Sequence, residues 1–264
     1  MTGFSSEWLA ARRRLDHSSR SETPLDFRDT LAQRAEPITI VDLGAGTGSN
    51  IDFLAPRLPV EQRWRLVEVD PALRAAAQFD RTNVIDVDWR GDDLSNRLRD
   101  VLHGPIDLIT GSALLDLVSA DWMEQLVDLM VEKQAHFHFA LTYDGAHRFD
   151  PQHPLDTVVI EAFNRHQQTD KGFGPALGPL ASERASKLLT NHGYQIVEVS
   201  TPWHIGPGES DFAAELVSGI AHAASDISAG LGENWQEDRL HDAKSGNLSI
   251  TVGHCDLFAW PNRP

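Results

Sequence analysis

From residue 37 onward, short apolar runs alternate with stretches whose apolar positions recur every three or four residues. Residues 38–43 read as a buried strand ending in glycines, and 49–58 as a helix. Residues 64–69 read as a second strand, and 71–79 as a second helix with Pro71 at its first position. A third strand is expected over 83–87 and a fourth from 107 to 110, then an amphipathic helix over 120–132 and a fifth strand over 136–142. Strands joined by helices in this way form right-handed βαβ units. The expected fold class is therefore α/β, a doubly wound and mainly parallel sheet. Ahead of it, residues 1–36 are polar with scattered apolar positions (Trp8, Leu9, Leu15, Leu25, Phe27, Leu31) and read as an N-terminal helical segment.

The second half is less regular. Residues 144–180 are long for a strand-to-helix connection, and long connections tend to be functional. Within them Leu155, Val158, Val159, Ala162, Phe163 and His166 share one helical face. A helix is expected over 182–192, closed by Gly193, and a sixth strand over 195–199. Residues 201–247 read as helical and polar, and 248–258 as the seventh strand.

Composition narrows the class. With 41% hydrophobic and 23% charged residues, the chain is an ordinary globular one. Its net charge of −16 repels polyanions and anionic lipid, so a small-molecule partner is expected rather than nucleic acid or membrane. The strongest basic run, Arg12-Arg13-Arg14, reads as the solvated face of an N-terminal helix. A single cysteine, Cys255, excludes an internal disulfide and a thiolate metal cluster. The N-terminal stretch lacks an apolar h-region and no stretch approaches the ~18 apolar residues of a membrane span, so a cytoplasmic protein is expected. Twelve histidines are present, but no HExxH or Cys/His spacing accompanies them, and no metal site is expected.

The strongest motif is VDLGAGTGSN, which follows the first strand and opens a helix. Its glycines, Gly44, Gly46 and Gly48, let the backbone turn sharply and approach a ligand. Asp70 ends the next strand 22 residues beyond Gly48, where an acid accepts from ribose hydroxyls. The dinucleotide fingerprint G-x-G-x-x-G is incomplete, because the loop reads G-x-G-x-G and no third glycine stands at the fingerprint's spacing. A nicotinamide-dependent oxidoreductase is thereby disfavoured. A third reading is a non-catalytic protein that binds the cofactor for sensing or assembly.

VDLGAGTGSN resembles motif I of the class I S-adenosylmethionine-dependent methyltransferases, and VEVDPAL (67–73) resembles their second motif. The resemblance spans about residues 37–143 and implies a Rossmann-like methyltransferase fold of seven strands, the last antiparallel. It also implies S-adenosylmethionine as cofactor. Asp42, Gly44, Ala45, Gly46, Gly48 and Asn50 would surround the methionine part, Asp70 would hold the ribose, and Pro71 would lie against adenine. The acid meeting the adenine amino group would be Asp93 or Asp92, beside Leu94, with Asp86 and Asp88 as rivals. Ser112 completes the cofactor set.

Ligands of open α/β sheets bind outside the carboxyl ends of the strands. That rule singles out three loops and, within them, Trp122, His147, Arg148 and Trp203 as acceptor-binding candidates and Asp116, Tyr143 and Asp144 as candidate bases. Asp116 is preferred, because its neighbours Leu114, Leu115 and Leu117 favour burial and a raised pKa. Residues 162–174 gather Asn164, Arg165 and Lys171, suited to an anionic group. The resemblance also makes 201–247 leave and return at the ligand end, and 144–180 and 201–247 are expected to cap the pocket within a domain spanning 37–264. The expected activity is methyl transfer to a small, anionic acceptor.

Overall fold

A computed structural model describes residues 5–34 and 37–262. The run Ile38–Leu43 (β1) is apolar at all but two positions and lies at the middle of the sheet, where both faces are covered. Parallel strands flank it: β2 (Gln62–Val67), β3 (Val84–Arg90), β4 (Leu108–Ser112) and β5 (His136–Asp150). The remaining strands are β6 (Tyr194–Ser200), β7 (Trp203–Ile205) and β8 (Ser249–Pro261). The sheet order is β3-β2-β1-β4-β5-β8-β6, with β7 paired to β8. β8 runs antiparallel to β5, β6 and β7.

The sheet has eight strands where the periodicity indicates seven. The extra strand, β7, continues β6 along the same partner: Ser200 pairs with Cys255 and Trp203 with Val252. Pro202, which has no N–H to contribute, separates them. β5 also runs beyond its expected end, from residue 142 to Asp150, along β8. This extension contains Asp144, Gly145 and Ala146, poor strand formers that bulge out of the β8 ladder between its Tyr143–His254 and His147–Val252 pairs.

Ten α-helices accompany the strands among the described residues. They are α1 (Ser6–Ser19), α2 (Leu25–Ala32), α3 (Ser49–Leu54), α4 (Pro71–Ala75), α5 (Leu94–Val101), α6 (Ala120–Lys133), α7 (Asp156–Gln167), α8 (Ala181–Asn191), α9 (Ser210–Ile227) and α10 (Glu233–Lys244). On one sheet face α5, α6 and α8 pack over Val41, Ile109, Phe137, Phe139 and Leu257. On the other, α2 and α3 cover Ile38, Ile40, Leu108, Phe258 and Trp260. A further cluster joins the distal part of β5, β7 and the start of β8 to α7, α9 and α10, through Phe149, Val159, Trp203, Val217, Trp235 and Ile250. Leu15 of α1 reaches into this last cluster.

Residues 144–180 and 201–247 thus divide between places. α7, α9 and α10 share the third cluster, whereas Phe173 packs on Trp122, and Leu177 N donates to Val118 O at 2.8 Å. The third cluster is bolted by a buried ion pair. Arg239, 0% exposed, donates to both oxygens of Asp156 at 2.7 and 2.6 Å, and Trp235 Nε1 donates to Asp156 Oδ1 at 2.8 Å. No helix among the described residues is long and apolar enough to cross a membrane.

Candidate functional site

The chain leaves β1 through a loop in which Gly44, Gly46 and Gly48 have φ of 70°, 54° and 82°. At Gly48 space also demands glycine, because a Cβ would fall 2.6 Å from the Phe79 ring. Ala45 N donates to Val67 O at 2.9 Å, tying the loop to the end of β2. Directly behind, Asp42 is 0% exposed and accepts from Asn50 Nδ2 at 2.7 Å, while Asn50 also donates to Thr110 Oγ1. Burial pushes the Asp42 carboxyl up to about 7, against the Asn50 hydrogen bond and the nearby Arg20 charge, which lower it. Asp42 and Asn50 therefore sit under the loop rather than on its open side.

The acid touching the loop is Glu68, one residue past β2. Its carboxylate accepts from Gly46 N at 3.0 Å and from Asp70 N at 2.9 Å. Asp70 caps α4 instead, accepting from Ala72 N at 2.7 Å, with Pro71 as the first helical residue. At the next strand end Asp93 caps α5 through Ser95 N, Asp92 pairs with Arg90 at 3.2 Å, and Leu94 is buried. Asp86 and Asp88 lie on exposed positions within β3, away from its carboxyl end. Ser112 ends β4, and the Leu114 side chain beyond it lies 3.7 Å from where a Gly44 Cβ would be.

α1 lies across this loop. Leu9 approaches Gly46, Arg13 donates to Asp52 Oδ2 at 2.6 Å and Gln78 O at 2.8 Å, and His17 Nε2 lies 3.0 Å from Ser49 Oγ. The opposite face of α1 meets the third cluster. Trp8 stacks on Phe212 at 5.0 Å, Asp16 Oδ1 accepts from Trp203 Nε1 at 3.1 Å, and Arg14 pairs with Glu209. This corrects the reading of Arg12-Arg13-Arg14 as a solvated face at two of its three positions: Arg12 is 8% exposed and Arg13 is half-buried against Asp52, whereas Arg14 is exposed as expected.

Beyond the loop, side chains from β5, α7, β7, β8 and the turn after β4 converge. Asp116 is buried, and burial raises its carboxyl to about 6 against the lowering effect of its own backbone N–H, Arg12 and Tyr143 N–H. Tyr143 donates to Asn164 Oδ1 at 2.5 Å, and His147 Nδ1 lies 3.1 Å from its hydroxyl. Burial raises the Tyr143 hydroxyl well above its usual range, with Asp144 and Asp116 adding to the effect. His254 packs 4.7 Å from Trp203 and 6.2 Å from Tyr143, centroid to centroid. Burial drives His147 down to about 4; burial, then Arg12 and His147, drives His254 down to about 3. Both imidazoles are neutral at pH 7. The group thus combines one carboxyl that titrates just below neutrality with uncharged rings.

Other sequence candidates lie elsewhere. Asp144 is exposed and accepts from Ala146 N at 2.8 Å within its own turn. Trp122 is a core residue whose indole donates to Leu94 O at 2.7 Å, joining α5 and α6. Arg165 is exposed, and Lys171 Nζ is 3.2 Å from both His166 Nδ1 and Thr169 Oγ1. Arg148 lines a groove of about 460 Å3 between the distal part of β5 and α7, with His147, Gln152 and His153. Sequence reasoning missed Glu68, Arg12 and His254. Helical spacing of Trp8, Arg12, Leu15 and Asp16 was the available signal for Arg12; His254 was concealed in an apolar strand.

No family model and no curated protein matches the sequence. Solved structures do match the fold. YcgJ from Bacillus subtilis superposes with a TM-score of 0.51 at 14% identity, covering 90% of this chain and 97% of its own. A putative type II methyltransferase from Anaeromyxobacter dehalogenans superposes with a TM-score of 0.50 at 15% identity, covering 92% of this chain and 99% of its own. The protein shares the Rossmann-like α/β fold of these structures, with β7 continuing the β6 edge along β8.

Proposed function

We propose that the protein is an S-adenosylmethionine-dependent methyltransferase acting on a small anionic molecule. The observation that carries this reading is the loop at the carboxyl end of β1, with three left-handed glycines and the Glu68 carboxylate bonded to its Gly46 N–H. Counted from Gly44, the position where close helix approach to a pyrophosphate takes a glycine is Ser49, and counted from Gly46 it is Ile51, which is 0% exposed. The loop therefore suits a nucleoside ligand without phosphates.

In this reading Gly44, Ala45 and Gly46 offer backbone groups to the methionine part. Glu68, rather than Asp70, accepts from the ribose hydroxyls, and the α5 end with Asp92, Asp93 and Leu94 borders adenine. S-adenosylmethionine, when bound, supplies a methyl group already activated by its sulfonium. The chain's own work is to align the acceptor within attack distance and keep water out. α1 and the third cluster suit that task as the cap over the acceptor. Asp116 takes the proton of an acceptor that is protonated at neutral pH.

Calorimetric titration tests the reading. S-adenosylmethionine binds and NAD does not; binding of NAD alone overturns it.

A further inference from the structure

The acceptor side of the site holds one buried cation that none of the sequence candidates supplies. We propose that Arg12 is the anion anchor of this site and that the methyl acceptor carries a carboxylate beside its nucleophile. The proposal rests on the methyl-transfer reading above.

Arg12 is 8% exposed. Its Nε donates to Asp16 Oδ2 at 2.9 Å, and its Cζ lies 4.9 Å from the centroid of the Trp203 ring. Asp16 holds both neighbours, since its other oxygen accepts from Trp203 Nε1 at 3.1 Å. The guanidinium is thus fixed in place by one carboxylate oxygen, and its two Nη groups have no hydrogen-bond acceptor among the described residues. A planar fork left open in this way matches a carboxylate bidentately.

The neighbours define what the anion is attached to. The charge of Arg12 reaches both Asp116 and His254. His254 Nδ1 is 3.1 Å from Val252 O, and a carbonyl only accepts, so Nδ1 carries the ring proton and Nε2 is an acceptor. Asp116 Oδ1 is buried without a partner. One fork of donors therefore stands beside two acceptors, a match for a carboxylate close to a hydrogen-bearing nucleophile. Arg12 belongs to the acceptor rather than the cofactor because it faces Trp203 and the start of β8. Leu9 and Arg13, on the adjoining face of α1, take the glycine loop and α3.

Benzoate and its uncharged counterpart benzamide are suitable probes, titrated calorimetrically into the full chain loaded with S-adenosylhomocysteine. Benzoate should bind at least about tenfold more tightly than benzamide, the size of one charge-assisted hydrogen bond or more. Arg12→Gln should erase that preference with S-adenosylhomocysteine affinity kept within about threefold. Should Arg12→Gln not fold, Arg12→Lys is read instead: it keeps the charge, loses the fork, and should retain part of the preference. The proposal is overturned by equal affinities in the wild type, or by a preference that survives Arg12→Gln or is unchanged in Arg12→Lys. It is equally overturned by a matching loss of S-adenosylhomocysteine affinity, which would assign Arg12 to the cofactor. Failure of the wild type to bind S-adenosylhomocysteine overturns the methyl-transfer reading itself. The two probes are then compared on the unloaded chain, so the two failures stay apart.

Discussion

Asp116 shows how one residue's environment sets both chemistry and stability. Its carboxyl sits at about 6 rather than near the usual 3.8, because burial penalises the charged form. The base form therefore grows as pH rises through about 6, and kcat/KM should rise with it. Asp116→Asn should remove that limb and lower the rate by ~10²-fold or more. The same shift has a stability sign. Because the folded pKa is above the unfolded one, stability is full below the ordinary carboxylate range and is lost as pH rises toward 6. Asp116→Asn should thus melt higher than the wild type at pH 7 while losing activity, measured by calorimetry and turnover on one preparation. Glu68 and Asp70 make a second contrast. Glu68→Gln should weaken S-adenosylmethionine about tenfold, because its carboxylate touches the loop, and Asp70→Asn should weaken it by less. The reverse order in titration would return the ribose to Asp70.

Among the elements, α7 and α10 are joined through one carboxylate, that of Asp156. Arg239 is buried and Asp156 gives it both carboxylate oxygens, with Pro151 O as a further acceptor at 2.8 Å. Removing one partner of a buried pair strands the other, at a cost of about 3–5 kcal/mol. Asp156→Ala should lose that much in chemical denaturation, with amides of α7, α9 and α10 exchanging before those of β1 and β4. Uniform loss of protection across the sheet would show that the third cluster is not a separate unit. The elements also show what periodicity can reach. β1, β4 and α6 were legible because each buries a face whose repeat appears in its own residues. β7 and the distal half of β5 were not, because their pairing is supplied by β8, more than forty residues beyond β7. The glycine loop was legible through a backbone need that few other residues meet. Glu68 was missed because the strand ends at Val67, two residues before the apolar run does.

At the scale of the whole molecule, a chain of net charge −16 keeps three arginines buried among its described residues: Arg12, Arg20 and Arg239. Each stands among carboxylates. Arg12 has Asp16 and Arg239 has Asp156, while Arg20 feels Asp256, Asp42 and Asp16. Asp256 in turn fastens the start of the chain to the sheet, accepting from Ser21 N, Leu141 N and Thr201 Oγ1. The acidity is thus partly internal scaffolding, which no count of charges reveals. One arrangement has a further meaning. Ile205 and Ile250, the last residue of β7 and the second of β8, are ladder partners. The two helices between them leave and re-enter the sheet at points one strand spacing apart, about 5 Å. To the sheet, that insertion is equivalent to a tight turn. A segment that starts and ends at neighbouring ladder positions can change in length without shifting the register of the strands on either side, so α9 and α10 can vary while the glycine loop after β1 keeps its geometry.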